Sequence, residues 1–276
     1  MSNPWNNRRP SARPPRATPP AVAPRGEAPV VRGDNELRLY GVNAVLGMFA
    51  KRPQDLRKLY LLESQMPRFQ HLLKWCVANR IGYRVVAEGD LNKLAATTHH
   101  EGVVADVVRH EPQSLASWLS AQAQGPSLAL WLDGVGNPHN LGAILRSAAH
   151  FGVSAILIPA HSKLSLSGAA ARVAEGGAEA VPLVRLPTTP QALAQLRDAG
   201  FHLAATLVEG GDNLFSADLP QRLVYVMGAE GECMDRDLAA QCDSRVSIPG
   251  TGAVESLNVA SATAVLLAGW RAKQTG

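Results

Sequence analysis

The chain has 276 residues, of which 46% are hydrophobic and 18% are charged, so most of it can bury a core and disorder is expected only locally. No apolar run reaches the roughly 18 residues of a membrane-spanning helix, and the start of the chain lacks the apolar stretch of a signal peptide. The three cysteines, Cys76, Cys233 and Cys242, include no CxxC pair, which argues against a disulfide framework and a zinc site. We therefore expect a cytoplasmic protein with no membrane or metal partner.

The first 33 residues hold the positive charge of the chain. They contain six Arg and one acid, Glu27, for a net charge of +5, which leaves −1 for the remainder out of a total of +4. Eight of the 19 prolines also lie here, with few large apolar groups, so a disordered Arg/Pro-rich tail is predicted over residues 1–35. An Arg-rich arm attracts polyanions such as RNA, although a merely solubilising extension explains the composition equally well.

A small α/β unit is predicted for residues 36–110. Strand and helix patterns alternate there, with helices at 41–49 and 67–79 and strands at 56–62, 83–87 and 103–108. The next segment, 111–126, is polar and is interrupted by Pro112 and Pro126 around a short helical pattern. Such a segment indicates a linker.

A parallel sheet is predicted for residues 127–276. Apolar runs at 128–132, 155–159, 203–207, 223–227 and 246–248 are typical of buried strands, and helices begin near Asn140, Ser167, Pro190, Asp235 and Asn258. This alternation favours a doubly wound α/β layout. Ligands bind such sheets beyond the carboxyl ends of the strands, so the turns after Leu132, Met227 and Ile248 are expected to hold the functional residues.

The first turn leads into a helix that carries Asn140 and Arg146. Asn140 is predicted to cap the start of this helix. Six residues correspond to about 240° of helical rotation, so Asn140 and Arg146 do not share a face but can flank one pocket. Arg146 stands among apolar residues, and a buried Arg needs an anionic partner, which is either an internal carboxylate or a bound anion. The residues alone leave both open.

The other two turns are rich in glycine and polar residues. Gly228 and Gly231 surround Glu230 in the second turn, where they allow a ligand to approach the backbone closely. Neither this turn nor the first contains GxGxxG, so a dinucleotide site would lack its phosphate-binding signature. The third turn places Ser256 and Asn258 at the start of a helix, where capping is their ordinary role.

Together the three turns resemble the SpoU (TrmH-like) branch of the SPOUT RNA methyltransferases. NPHNLGAILRSA is similar to motif 1 of that family, MGAEG to motif 2 and IPGTGAVESLNVA to motif 3, in the same order, over about residues 128–272. Residues 36–109, which open with LYGVNAVLGMF and end with HHEGVVADV, resemble its L30e-like substrate-binding domain. The resemblance implies a deep trefoil knot in the C-terminal domain. Pattern reasoning would not propose one, because knots are almost absent from proteins.

The resemblance also implies an activity and a site. It implies methyl transfer from S-adenosyl-L-methionine to a ribose 2′-hydroxyl of tRNA or rRNA by a homodimer. Matched position by position, the functional residues of the family correspond to Asn140, Arg146, Glu230, Ser256 and Asn258. Its cofactor contacts correspond to Gly228, Ile248 and Leu257, with Thr206 and Leu207 as weaker candidates.

Two local departures from the family pattern concern substrate details rather than the reaction. Ala260 stands where the family often has Ser, and Gly250 and Thr251 replace a more common Met-containing pair. The sequence disfavours two other functions. A catalytically silent RNA-binding or ribosome-assembly protein could keep the same fold, but the five intact functional residues argue against it. A nucleotide-dependent oxidoreductase would lack its glycine fingerprint.

Overall fold

The computed structural model describes residues 35–228 and 236–274. Nearly all of the predicted tail lies outside the described residues, as do Glu230 and Gly231. The described strands form two sheets, one of four strands and one of eight.

The four-stranded sheet contains the first part of the described chain. Its elements are β1 (Glu36–Tyr40), α1 (Val42–Lys51), β2 (Leu56–Leu61), α2 (Gln70–Ala78), β3 (Gly82–Val85), α3 (Glu88–Ala95) and β4 (Val103–Val108). The strand order is β1-β4-β2-β3, and β4 runs antiparallel to both β1 and β2 while β3 is parallel to β2. We call these elements the four-stranded unit. The helices and strands predicted here are present, whereas β1 and α3 were not predicted.

The eight-stranded sheet is built from the rest of the described chain. Its elements are β5 (Gln113–Ser114), α4 (Leu115–Ser120), β6 (Ser127–Leu132), α5 (Pro138–Phe151), β7 (Ala155–Ile158), α6 (Gly168–Ala174), β8 (Leu183–Arg185), α7 (Thr189–Asp198), β9 (His202–Leu207), β10 (Asp212–Asn213), β11 (Arg222–Met227), α8 (Arg236–Ala240), β12 (Ser244–Ser247) and α9 (Val259–Gln274). The order is β10-β12-β9-β11-β6-β7-β8-β5, and each described pairing is parallel. The predicted parallel sheet is therefore confirmed.

Helices cover both faces of this sheet, which explains its uninterrupted apolar strands. Every residue of β6 and β7 is buried, as expected when both faces of a parallel strand meet helices. Leu145 of α5, Ala170 of α6 and Leu267 of α9 belong to the core on one face. On the other face, Trp118 of α4 and Leu193 of α7 belong to a separate core. The layout is doubly wound, as predicted.

The segment 111–126, predicted to be a linker, contributes to the larger sheet. β5 pairs in parallel with β8, and Ser114 caps α4 by accepting a hydrogen bond from the Ser117 amide at 3.2 Å. Leu115 and Trp118 are three residues apart on one helix face and are both buried. Part of this segment is thus packed into the larger sheet, and the domain limits at 110 and 127 stay a prediction.

The last helix, α9, is the longest described, with 16 residues. Within 35–228 and 236–274, none of the helices combines the length and apolar character needed to cross a membrane.

Candidate active site

The carboxyl edge of the parallel sheet brings together residues that are far apart in the chain. Strands β12, β9 and β11 are neighbours, so Ile248, Leu207 and Gly228 lie at the ends of three adjacent strands. The Thr206 hydroxyl donates a hydrogen bond to the Val226 carbonyl at 3.0 Å and so ties β9 to β11. Because parallel strands share one carboxyl edge, the fold gathers these four predicted cofactor positions in one region.

The first turn positions Asn140 inside α5 rather than at its cap. The cap is Asn137, whose side-chain oxygen accepts a hydrogen bond from the His139 amide at 2.9 Å, and the helix begins at Pro138. Our prediction that Asn140 caps this helix is therefore wrong. The physical reason is Pro138, whose fixed φ and missing N–H suit the first helical position. The side chain of Asn140 is consequently available for a contact outside its own helix.

Asn258 makes that contact and joins the first turn to the third. Its Nδ2 donates a hydrogen bond to Asn140 Oδ1 at 3.2 Å, across 118 residues of chain. Its Oδ1 accepts hydrogen bonds from the amides of Ala260 at 3.0 Å and Ser261 at 3.4 Å. The capping role that the sequence left open is thus confirmed for Asn258. The same side chain also reaches α5, so capping and a role in the site are compatible.

Arg146 lies on the solvent-facing side of α5. We expected a charge buried in an apolar helix, which is wrong: Leu141, Ile144 and Leu145 of α5 are buried, whereas Arg146 is exposed. The helix is amphipathic, and Arg146 falls outside its apolar stripe. Among the described residues no carboxylate forms an ion pair with Arg146. Of the two partners that the sequence left open, an internal carboxylate is not found in the described chain.

The sequence motifs did not single out His139. It is exposed and precedes Arg146 by seven residues, which is about two helical turns, so the two side chains share one face of α5. The seven-residue separation of His139 and Arg146 can be seen in the sequence, but the motifs drew attention to neighbouring residues instead. The exposed face of α5 therefore presents an imidazole and a guanidinium close to Asn140.

The third turn is open to solvent. Ser256 is exposed, Leu257 exposes 46% of its surface and Val254 69%. Gly250 and Gly252 have open space where a Cβ would lie, so this turn has room for a bound molecule. Ile248 instead packs partly against the core, which anchors the beginning of the turn.

The described cysteines are buried or half-buried thiols. Cys76 and Cys242 are free thiols, and burial raises the pKa of each to about 11. Both are therefore protonated near neutral pH, and a protonated thiol is a weak nucleophile. Within the ranges that the structure describes, no three His, Cys, Asp or Glu side chains are grouped so as to hold a metal ion.

Comparison with known proteins assigns the family. The SpoU rRNA Methylase family matches residues 127–268, and the RNA 2′-O ribose methyltransferase substrate binding family matches residues 38–113. This chain belongs to the SpoU methylase family. The resemblance seen in the three turns is thereby confirmed.

Relatives of this SpoU chain are similar over most of its length. The uncharacterized tRNA/rRNA methyltransferase YfiF of Escherichia coli O157:H7 is 40% identical over 235 residues, which cover 85% of this chain and 68% of that protein. RlmB of Pseudomonas syringae pv. tomato, a 23S rRNA (guanosine-2′-O-)-methyltransferase, is 35% identical, with 83% and 93% covered. The crystal structure of the SpoU methyltransferase AviRb from Streptomyces viridochromogenes, in complex with AdoMet, has a TM-score of 0.73 at 23% identity and covers 87% of this chain and 91% of its own. This likeness confirms the α/β fold.

Proposed function

We propose that this SpoU protein transfers a methyl group from S-adenosylmethionine to a ribose 2′-hydroxyl in rRNA or tRNA. The observation that carries the proposal is the hydrogen bond between Asn258 and Asn140, which unites the first and third motifs six residues, or less than two helical turns, before the exposed Arg146. The relatives named as 23S rRNA methyltransferases favour rRNA as the substrate. A catalytically silent RNA-binding protein would have no need for this convergence.

S-adenosylmethionine fits the carboxyl edge of the parallel sheet. Gly228, Leu207 and Ile248 end adjacent strands there, and backbone groups at strand ends are free to bind the polar parts of a ligand. Leu257 offers exposed apolar surface beside an open, glycine-containing turn. The bound cofactor supplies an electrophilic methyl group on a positively charged sulfur.

Arg146 acts in this proposal as an anion clamp rather than as a base. A guanidinium is a permanent cation in proteins and has no lone pair with which to accept a proton. Its planar fork binds a phosphate through two hydrogen bonds, and its exposure leaves it accessible to RNA. A phosphate held beside the target ribose orients the 2′-hydroxyl, and that phosphate or a water molecule accepts the proton.

The remaining motif residues support this geometry. Asn140 and Asn258 hold the two turns together and orient the substrate, and Ser256 and Glu230 assist them. Attack of a developing alkoxide on a sulfonium cancels charge, so exclusion of water from the site favours the transition state.

The proposal extends to a knotted, cytoplasmic homodimer. Small residues along α9, including Ala264 and Ala268, would allow close packing between copies of the chain. Gly269 does not contribute to this packing, because a Cβ there would lie 3.2 Å from Leu214 of the same chain. Sedimentation equilibrium of the full chain should give twice the monomer mass of 29.3 kDa, and a monomer would contradict the dimer.

Two measurements test the activity. We expect calorimetry to detect S-adenosylmethionine binding to the purified chain, and tritium from the labelled cofactor to appear in RNA isolated from cells that lack the protein. The label should then map to a ribose in a large rRNA. RNA binding without incorporation of label would instead support the silent binding protein.

A further inference from the structure

One segment belongs to the cores of both sheets. Residues 168–179 comprise α6 and a single turn of 3-10 helix at Gly177–Glu179, and we call them the bridging segment. Ala171 of this segment is buried in the core of the four-stranded unit, whereas Ala170 and Ala174 are buried in the core beneath α5. Successive residues of one short helix thus face different cores, so the segment cannot move with one sheet alone.

Glycines bring backbones into contact on both sides of the bridging segment. Toward the four-stranded unit, a Cβ on Gly168 would lie 2.5 Å from the Arg38 carbonyl oxygen, and one on Gly47 of α1 would lie 3.0 Å from Gly176 Cα. Toward α5, a Cβ on Gly177 would lie 2.7 Å from the Leu145 carbonyl oxygen and 3.1 Å from Arg146 Cα. The bridging segment therefore touches the four-stranded unit on one side and the backbone of Arg146 on the other.

A buried ion pair fixes this arrangement. Arg52, at the end of α1, donates from Nε and Nη2 to the two carboxylate oxygens of Glu179, each at 2.8 Å. The side chains of Arg52 and Glu179 are both only 10% exposed. Burial acts to lower the pKa of Arg52, but hydrogen bonds and charge from Glu179 and Asp55 outweigh it, and the net shift is upward. Removing one member of such a pair leaves an uncompensated buried charge.

Other contacts of Arg52 lie within the four-stranded unit. Its Nη1 donates to Asp55 at 3.2 Å and to the Val108 carbonyl at 2.9 Å. Arg52 is thus positioned by hydrogen bonds within the four-stranded unit, and its partner in the bridging segment is Glu179. Arg172 and Glu101 form a second pair between the same parts at 3.1 Å. Since both are about one third exposed, this pair contributes less.

Charge is divided unequally between the parts that this ion pair joins. Residues 36–110 contain 11 Lys and Arg against seven Asp and Glu, a net charge of +4, whereas residues 111–276 have a net charge of −4. A polyanion is therefore attracted to the four-stranded unit, while Arg146 and the two asparagines lie on the other side of the bridging segment. The relative placement of the two parts then decides which ribose reaches Arg146.

We infer that Arg52 and Glu179 are positioning residues, which hold the four-stranded unit at a fixed place relative to α5 and so select the nucleotide that is methylated. This inference rests on the proposed methyl transfer. Small displacements of a reacting group are costly, because the rate depends on the fraction of complexes that are aligned. Loss of the ion pair should therefore affect transfer and site selection more than the binding of either substrate.

Glu179→Gln in the full chain is the primary test, because it removes the charge and keeps the shape. We expect the single-turnover rate of methylation on rRNA to fall about tenfold and a larger share of the methyl groups to appear on neighbouring nucleotides. The dissociation constants for RNA and for S-adenosylmethionine should change less than about threefold. Asp55→Asn is the matched control, because it removes the carboxylate that Arg52 contacts within its own unit. It should leave the choice of nucleotide unchanged.

Gly47→Ala provides a second test that does not alter any charge. Its methyl group would press against Gly176 and widen the contact between α1 and the bridging segment, so it should also shift methylation to neighbouring nucleotides. Gly89→Ala in α3 is its control, because a Cβ at Gly89 meets nothing within 4 Å. The inference is overturned if Gly47→Ala methylates the same nucleotide as the unaltered chain and Glu179→Gln either does the same or fails to fold.

Hydrogen exchange separates this inference from the proposed function. In Glu179→Gln, amides of α1 and of the bridging segment should exchange at least about tenfold faster than in the unaltered chain, whether or not the protein methylates RNA. If the unaltered chain has no transferase activity, the proposed function is refuted. The exchange measurement would still test whether the ion pair between Arg52 and Glu179 holds α1 against the bridging segment. If the protein methylates RNA but Glu179→Gln does not change the exchange rates, only the role of this ion pair is refuted.

Discussion

Arg146 carries the sharpest prediction at the scale of single residues. Arg146→Lys keeps the positive charge but loses the planar fork that binds a phosphate through two hydrogen bonds. We expect kcat/KM for RNA methylation to fall by about 100-fold or more, while calorimetry gives an S-adenosylmethionine affinity within about twofold of the original. Arg245→Lys is the control. Arg245 is exposed and lies near the start of β12, away from the carboxyl edge of the sheet, so this substitution should have little effect. Unchanged turnover in Arg146→Lys would dismiss the anion clamp.

Asn258 has two roles that substitution can separate. Asn258→Ser keeps a good helix cap but is too short to reach Asn140. We predict thermal stability close to that of the unaltered chain and at least about tenfold slower methylation. Asn258→Ala removes both roles and should also cost about 1 kcal/mol of stability. If Asn258→Ser is fully active, the hydrogen bond to Asn140 serves the structure only.

The start of α5 could be read only in part from the sequence. Asn137, Pro138 and Asn140 are all compatible with a helix start, and Asn140 was predicted as the cap. The structure begins the helix at Pro138 with Asn137 as cap, since Pro is best suited to the first helical position. Asn140 therefore lies within the first turn of α5, where its Oδ1 accepts the hydrogen bond from Asn258 Nδ2.

At the scale of elements, the packing of α5 on α6 depends on Gly142. A Cβ there would lie 2.5 Å from the Ala170 carbonyl oxygen and 2.7 Å from Val173 Cβ, and backbone atoms cannot move aside easily. Gly142→Ala should therefore destabilise the protein by about 1–3 kcal/mol, against a gain in helix propensity of about 1 kcal/mol. Urea unfolding of Gly142→Ala and of the unaltered chain measures the change in the free energy of unfolding. Gly89→Ala, which has open space, should be neutral or slightly stabilising.

Long apolar or strongly periodic elements were predictable, whereas short ones were not. The strand Val103–Val108 was predicted with its observed bounds, and β6 was one residue longer than predicted. In contrast, β5 and β10 have two residues each, which is too short for any periodicity. Their pairing depends on neighbouring strands that the fold supplies.

At the scale of the whole molecule, the Arg-rich tail should govern the salt dependence of RNA binding. Each Arg that neutralises a phosphate releases counterions, so deletion of residues 1–33 with their six Arg should make the slope of log K against log salt shallower by up to about 5. Fluorescence anisotropy across a salt series measures this slope, and S-adenosylmethionine binding should not change. An unchanged slope would identify the tail as a solubilising extension.

The residues alone were enough to recognise the fold class, the alternation of strands and helices, and the family. These features are local, because apolar periodicity and motif spacing depend only on residues that are close together in the chain. The hydrogen bond between Asn258 and Asn140, the exposure of Arg146 and the ion pair between Arg52 and Glu179 became visible only in the folded chain. Each of these depends on which distant segments pack together, and no local pattern in the chain encodes a contact across 118 or 127 residues.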